Sequence, residues 1–389
     1  MSTIAPARPL PRSLFITNDF PPRIGGAQSY YWGMIRTLDP ADVVVLAPAH
    51  PEAAAFDATH RYRVVRAPTT ILWPTPELLR LACDLIVRYD LDLVQLGHPL
   101  PAGLLGPALR RRMGVPYLVF LGGAEVTMPA AVPGVGSALR HVLGGASLLV
   151  AVSEFTAAAA SRQVHGRVPA AVLRPALATE AYAPAPADDA AATKRALGVD
   201  GELVVCVGRL VPRKGQDRLI EALDMLREDF PRLTLALIGG GRLEGALRAA
   251  ARRCGVAERV RFLGPLGDEE LRRWLRAADV FASPSRTRWG GLEVEGFGIV
   301  FAEAALAGLP VIAGTSGGAP EAVKAGDSGI VVDGTSVAEI AAALARLLRL
   351  SPERRRQLGE RGRRLALARH TPSAAGDRYR ELLRQAAGL

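Results

Sequence analysis

Two carboxylates eight positions apart, Glu295 and Glu303, bracket a glycine turn and a helix start in RTRWGGLEVEGFGIVFAEAALAGLPVIAGTSGGAPEAV, residues 286–323. Gly296 and Gly298 follow the first acid directly, so the backbone there can turn tightly. The run from Ile299 to Ala307 reads as a helix closed by Gly308 and Pro310. The free N–H groups of Phe297 to Val300 at its start attract anions such as a phosphate. One acid ahead of that cradle and a second inside the helix suit a sugar diphosphate. The plainer alternative makes Glu295 a helix-start acid and Glu303 a solvated surface acid.

Upstream, VGRLVPRKGQD (207–217) sets Arg209 and Lys214 just past a buried strand. Arginine offers a planar fork for phosphate oxygens and lysine a mobile point charge. Gly208 and Gly215 let the backbone come close. Two bases in a strand-end glycine turn favour an anion site over an ordinary basic turn. Near the N-terminus, Arg23-Ile24-Gly25-Gly26-Ala27 can present amides to an anion, or simply join a strand to a helix. The triplet at 239–241 is not GxGxxG and no GxxxxGK[ST] occurs, which disfavours a dehydrogenase or a kinase.

The elements that must position these groups alternate. Strands over Ser13–Thr17, 43–48, YRVVRAP, LDLVQLG, VPYLVFLGG, SLLVAVS and AAVLRP are interleaved with helices over Ser29–Leu38, Pro76–Tyr89 and 104–112. That rhythm predicts a parallel, doubly wound α/β sheet with its ligands at the strand ends. Residues 1–178 make this first Rossmann-like domain. Residues 179–199, rich in Ala, Pro and acid, read as a linker. A second Rossmann-like domain over 200–370 opens with ELVVCVG, and a C-terminal helix over 371–389 is expected to return to the first domain. Two such domains facing across a cleft follow from the pattern.

A chain of 389 residues is too long for one ordinary core. Its formal charge of +10 is concentrated in the second half, at Arg209, Arg213, Lys214, Arg286, Arg288 and 354–364. The last cluster alternates with Glu353 and Glu360 and reads as a solvated helix face. Charge alone does not make a nucleic-acid binder, and no aromatic stacking pattern accompanies it. Cys83, Cys206 and Cys254 are isolated among apolar neighbours, the pattern of reduced thiols in a cytosolic protein. The six histidines have no metal-ligand spacing, so no metal is expected. The leader MSTIAPARPLPRSLF lacks the apolar centre of a signal peptide, and no apolar run is long enough to span a membrane. The expectation is a soluble, cytoplasmic protein able to touch the inner face of a membrane. Leu109-Arg110-Arg111-Arg112-Met113 suits anionic headgroups, or the dipole at a helix end.

Taken together, NDFPPRIGGAQSY, VGRLVPRKGQDRLIEAL, the 285–323 stretch and the E-x7-E pair resemble the family-4 retaining glycosyltransferases. Within these the chain is most similar to the actinobacterial phosphatidylinositol-mannoside mannosyltransferases. The likeness runs over nearly the whole chain and is densest in 204–335. It implies the GT-B architecture and a nucleotide-sugar donor of GDP, UDP or dTDP type, with GDP-mannose the first guess. By that analogy Arg209 and Lys214 grip the diphosphate and stabilise the leaving group. Glu303 meets the ribose, and Glu295 meets the donor sugar together with the amides of Gly296, Phe297, Gly298 and Ile299. The base lies along Phe262–Leu266, with Leu263, Gly264 and Leu266, and at Pro284. Gly25 and Gly26 approach the phosphate from the first domain. Neither metal nor cofactor is implied, and no protein nucleophile. The acceptor is a hydroxylated glycolipid or small molecule, with Asp19, Glu125 and His98 as acceptor-side candidates.

One departure matters. The family usually carries a histidine in an HGxE pattern after a strand of the first domain, and this chain has Phe120-Leu121-Gly122-Gly123-Ala124-Glu125 there. Three readings stay open: a 6-deoxy, amino-sugar or cyclitol donor with a small soluble acceptor, a changed mechanism, or a non-catalytic nucleotide-sugar binder.

Overall fold

The computed structural model describes residues 10–184, 186–323 and 327–389, so the leader segment 1–9 lies outside the described residues. The chain divides into two units, Met1–Ala176 with Pro372–Leu389, and Leu177–Thr371.

The first unit is built on seven parallel strands, β1 (Ser13–Ile16), β2 (Val43–Pro48), β3 (Arg63–Ala67), β4 (Leu93–Leu96), β5 (Tyr117–Leu121), β6 (Leu148–Ala151) and β7 (Ala170–Val172). Their order is β3-β2-β1-β4-β5-β6-β7. Five of the seven are buried along their whole length. This is why they read as unbroken apolar runs and not as alternating ones. One face of the sheet packs Leu14, Leu96 and Val119, and the other packs Phe15, Val45 and Phe120. The strand order reverses between β1 and β4, where a doubly wound sheet opens a crevice at its carboxyl edge. The first helix runs Gly26–Ile35, earlier than the expected Ser29–Leu38, because Gly25 O already accepts from Ser29 N at 3.0 Å. Helix Pro76–Tyr89 is as expected, with Thr75 capping Leu78 N and proline at its first position. The helix Pro372–Ala387 buries Tyr379, Leu382 and Leu383 in this unit's core. Tyr379 donates to Gln95 Oε1 at 2.6 Å.

The second unit has six parallel strands, β8 (Leu203–Val207), β9 (Thr234–Ile238), β10 (Val260–Gly264), β11 (Val280–Ser283), β12 (Val311–Gly314) and β13 (Gly329–Val332). The order β10-β9-β8-β11-β12-β13 reverses between β8 and β11. The stretch expected to be a linker, 179–199, is not one. It holds a short 3-10 turn, Thr179–Tyr182, and a helix, Ala187–Ala196, and belongs to this unit. Its prolines, Pro184 and Pro186, precede the helix, which itself is ADDAAATKRA, a run dominated by good helix formers. Lys194 pairs with Asp279 just ahead of β11, and Arg276 donates to Ala181 O at 3.0 Å.

Candidate active site

At the carboxyl edge of the second sheet the turns are packed against one another. Gly215 has φ +75, and a Cβ there would lie 2.2 Å from Pro284 O in the turn after β11. Only glycine fits such an approach in that conformation. It closes the 3-10 turn Pro212–Lys214, which turns Lys214 inward. The lysine is 6% exposed and its Nζ lies 2.8 Å from Glu295 Oε2, with Arg213 Nε at 3.7 Å from the same oxygen. The main chain of Glu295 is held on both sides, since its N–H donates to Ser316 Oγ at 3.1 Å and its carbonyl accepts from Gly318 N at 2.9 Å. Between them Gly317 has φ +55, and a Cβ would stand 2.0 Å from Glu295 O. Burial alone would push the Glu295 carboxyl up, but Lys214, Arg213 and Arg209 hold it below the usual carboxylate range. Arg209 itself is exposed, and its carbonyl accepts from Gln216 Nε2 at 3.1 Å. The two bases and the first acid anticipated from spacing are therefore together. Arg213 and Ser316 are additions. Arg213 lay in plain view inside PRKG, but nothing in the sequence distinguishes it from a surface base.

The helix after Glu295 runs Ile299–Leu306 from Gly298 (φ 78), with no side chain capping its first amides. Amides left uncapped in this way are able to host an anion. The Phe297 side chain is buried against the His370 ring, so only its main chain can face a ligand. Glu303 is not a freely solvated acid: its Oε1 accepts from the Tyr182 hydroxyl at 2.9 Å, and burial pushes its carboxyl up. Tyr182 comes from the segment expected to be a linker, so its role was invisible from spacing. Leu263, Gly264 and Leu266 sit at the end of β10, where Gly264 O accepts from Gly239 N at 2.8 Å. Pro284 lies past β11, with β9 and β8 between, so these base-site candidates occupy two places on one edge.

The first unit gathers its own group at the β1/β4 reversal. His98 Nε2 lies 2.5 Å from Asp19 Oδ2, and Gln28 Nε2 donates to Asp19 Oδ1 at 2.6 Å. The His98 hydrogen bond holds Asp19 below the usual carboxylate range, against the opposing pull of burial. Tyr31 donates its hydroxyl to Gly97 O. Gly122 is exposed, and its N–H donates to Glu125 Oε1, so the acid occupies the turn that lacks a histidine. Gly25 and Gly26 form the start of the first helix. Among the described residues no three His, Cys, Asp or Glu side chains converge as a metal site, and no helix is long and apolar enough to cross a membrane.

Residues 24–175 match the sequence family described as Glycosyltransferase Family 4, and 189–365 match Glycosyl transferases group 1. The GDP-mannose-dependent alpha-(1-6)-phosphatidylinositol monomannoside mannosyltransferase of Mycolicibacterium smegmatis is 42% identical over 378 residues, covering 95% of this chain and 97% of that protein. This chain is a family-4 glycosyltransferase. The GDP-mannose-dependent monoacylated alpha-(1-6)-phosphatidylinositol monomannoside mannosyltransferase of Corynebacterium glutamicum is 37% identical, covering 96% of this chain and 97% of its own length. Among solved structures, Anabaena HepE crystallised with UDP matches with a TM-score of 0.81 at 22% identity, covering 96% of this chain and 99% of that one. The fold of this family-4 glycosyltransferase is therefore GT-B, with two Rossmann-like α/β units. Its activity is the retaining transfer of a sugar from a nucleotide-sugar donor to a hydroxyl acceptor.

Proposed function

We propose that this glycosyltransferase moves a mannosyl residue from GDP-mannose to a hydroxyl of a phosphatidylinositol-mannoside glycolipid. The observation that carries the proposal is the buried Lys214–Glu295 pair at 2.8 Å, beside the open amides that follow Gly298. It supplies a cation for phosphate and a carboxylate for sugar hydroxyls at one strand edge, and the relatives at 37–42% identity supply the choice of substrates. In this reading Arg209 and Lys214 hold the diphosphate and stabilise the charge that grows on the departing phosphate. Glu295 orients the hexose and Glu303 the ribose, while Leu263, Gly264, Leu266 and Pro284 border the base. In the first unit Asp19, His98 and Glu125 offer partners to acceptor hydroxyls. The cations and helix amides oppose the diphosphate charge, so transfer is expected to persist in EDTA. A lipid acceptor also requires contact with a membrane. Arg110 and Arg111 are exposed and, with Arg140 and His141, line an open cavity of about 630 Å³ suited to anionic headgroups.

The test is to incubate the protein with GDP-mannose and phosphatidylinositol monomannoside in mixed micelles and weigh the lipid product. One added hexose, with GDP released in step, supports the proposal. No product, with no thermal shift from GDP, overturns it. A second reading rests on Gly122, which offers no side chain where the family pattern has a histidine: a donor lacking the 6-hydroxyl. Substituting histidine there brings its Cβ within 2.9 Å only of the flexible Glu125 carboxylate. Gly122→His should therefore fold. Faster mannosyl transfer in that variant favours mannose, whereas preference of the parent protein for a dTDP-6-deoxyhexose favours the second reading.

A further inference from the structure

The loop that delivers Glu295 carries an exposed tryptophan in a backbone conformation that side chains avoid. Trp289, Gly290 and Gly291 have φ of 51°, 62° and 102°. Two are glycines, but the first is a bulky aromatic at 56% exposure. Left-handed φ at such a residue persists only where its surroundings over-determine it, and it clusters at ligand sites. Here the surroundings do so. Arg288 N donates to Glu293 O at 2.9 Å and Glu293 N to Arg288 O at 3.2 Å, closing a small antiparallel pair. The Arg288 guanidinium pairs with Glu293 Oε2 at 2.9 Å and lies 4.8 Å from the centre of the Trp289 ring. The base of the loop is pinned to the donor edge. Arg286 binds Asp217 Oδ2 at 2.8 Å, its N–H donates to Arg213 O at 2.8 Å, and Thr287 Oγ1 donates to Ser316 Oγ at 3.2 Å, the same serine that holds Glu295 N.

The backbone carrying this indole, six residues ahead of Glu295, is pinned, and the Arg288 guanidinium lies over its ring. Its surroundings select the ligand. Among the described residues of this unit the other large exposed hydrophobic is Met225, at the end of the helix Gln216–Met225, so no apolar patch surrounds the ring. A bilayer-inserting surface needs such a patch. A lone, half-exposed indole with the Arg288 guanidinium of an Arg–Glu pair over its ring instead matches, on its open side, a ring with an apolar C–H face and a hydroxyl edge, which is a pyranose or a cyclitol. We propose that Trp289 is the stacking platform for the acceptor's polyol ring, with Arg288 and Glu293 facing that ring's hydroxyls. This deepens the glycosyl-transfer reading and rests on it.

Because Trp289 sits at positive φ, Trp289→Gly relieves the backbone and should fold with an unchanged or higher Tm. With GDP-mannose and phosphatidylinositol monomannoside, Trp289→Gly and Trp289→Ala should raise the acceptor KM about tenfold or more. The donor KM and the thermal shift from GDP should stay within twofold, and Trp289→Phe should recover most of the loss. An unchanged acceptor KM overturns the proposal, as does a lower Tm in Trp289→Gly, which would make the tryptophan a structural residue. Loss of binding to phosphatidylglycerol vesicles free of acceptor overturns it too, in favour of a bilayer anchor. If the parent protein transfers no mannose, the substrate assignment has failed. The platform is then judged by whether inositol or methyl mannoside shields the indole from iodide quenching in the parent protein but not in Trp289→Phe. Absence of shielding overturns it.

Discussion

Replacing Lys214 by alanine should destabilise the second unit and weaken GDP binding, and the first effect should depend on pH in a defined direction. Both partners of the Lys214–Glu295 pair have side chains only 8% exposed. Removing one member of a buried pair typically costs about 3–5 kcal/mol because the other is left charged and dry. Two things soften that figure here. Arg213 remains 3.7 Å from the same carboxylate oxygen, and Glu295 can take up a proton. A loss of about 2 kcal/mol is the working value, somewhat under the usual range for an uncompensated charge. In a unit of this size each kcal/mol moves Tm by roughly 2–4 °C, so the fall should be ~4–8 °C.

The pH dependence follows from the direction of the Glu295 shift. Its native carboxyl lies below the usual range, so its stabilisation is present above the unfolded value of about 4.3 and is lost as pH falls through the native value. Without Lys214 much of that stabilisation is absent. The gap between parent and variant should therefore be widest near neutral pH and close below pH ~4. Scanning calorimetry from pH 7 to 4 measures it. Lys214→Ala/Glu295→Gln removes both charges and should recover most of the lost Tm. A loss of one charge-assisted hydrogen bond, about 1.5–3 kcal/mol, should also weaken GDP roughly 10–150-fold by titration calorimetry. A pH-independent gap, or single effects that simply add in the double variant, would refute the pairing.

Three further outcomes are expected. Tyr182→Phe deletes the hydroxyl that donates to Glu303 at 2.9 Å, so GDP affinity should change severalfold while GDP-independent Tm shifts by about 1 kcal/mol or less in equivalent stability; unchanged affinity would detach Glu303 from the nucleoside. Gly317→Ala forces a Cβ to 2.0 Å from Glu295 O at φ +55, so initial-rate assays should show transfer falling by tenfold or more, with destabilisation of about 1–3 kcal/mol. Burial beside Trp32, Phe56 and Tyr62 pulls the His60 ring below its usual value. The neutral ring's contribution is thus present above pH ~6.5 and lost as pH falls toward the native value; Tm of His60→Phe should decline less than that of the parent between pH 7 and 5.

Much of the fold was legible because its strands are buried on both faces and so appear as unbroken apolar runs, such as VVVLAP at β2 and LVVCV at β8. The helix start marked by proline at Pro76 was equally plain. The segment 179–199 misled because Pro184 and Pro186 coloured a window whose second part is a helix. The helices Ala124–Ala130 and Val135–Gly145 were missed for a related reason: one contains Pro129, and both begin after glycines with no capping side chain.

The site divides along the same line between local and long-range information. Spacing puts Arg209 and Lys214 in one glycine turn after a strand and Glu295 just ahead of a helix start, because both are local features of the chain. It cannot say which side chain meets which, since Lys214 and Glu295 are joined only by the β8–β11 reversal, and Asp19 and His98 only by that of β1 and β4. Those pairings have a physical consequence that residue types alone do not carry. Before a donor arrives, Lys214 is already neutralised by Glu295, while Arg209 remains exposed. In the proposed reading an incoming diphosphate would meet Arg209 and the uncapped helix start first. On that proposal Lys214 would serve the phosphate by sharing or leaving Glu295, and a Glu295 released in this way would accept from sugar hydroxyls. The proposed grip on the diphosphate and orientation of the hexose would thus be coupled through this ion pair.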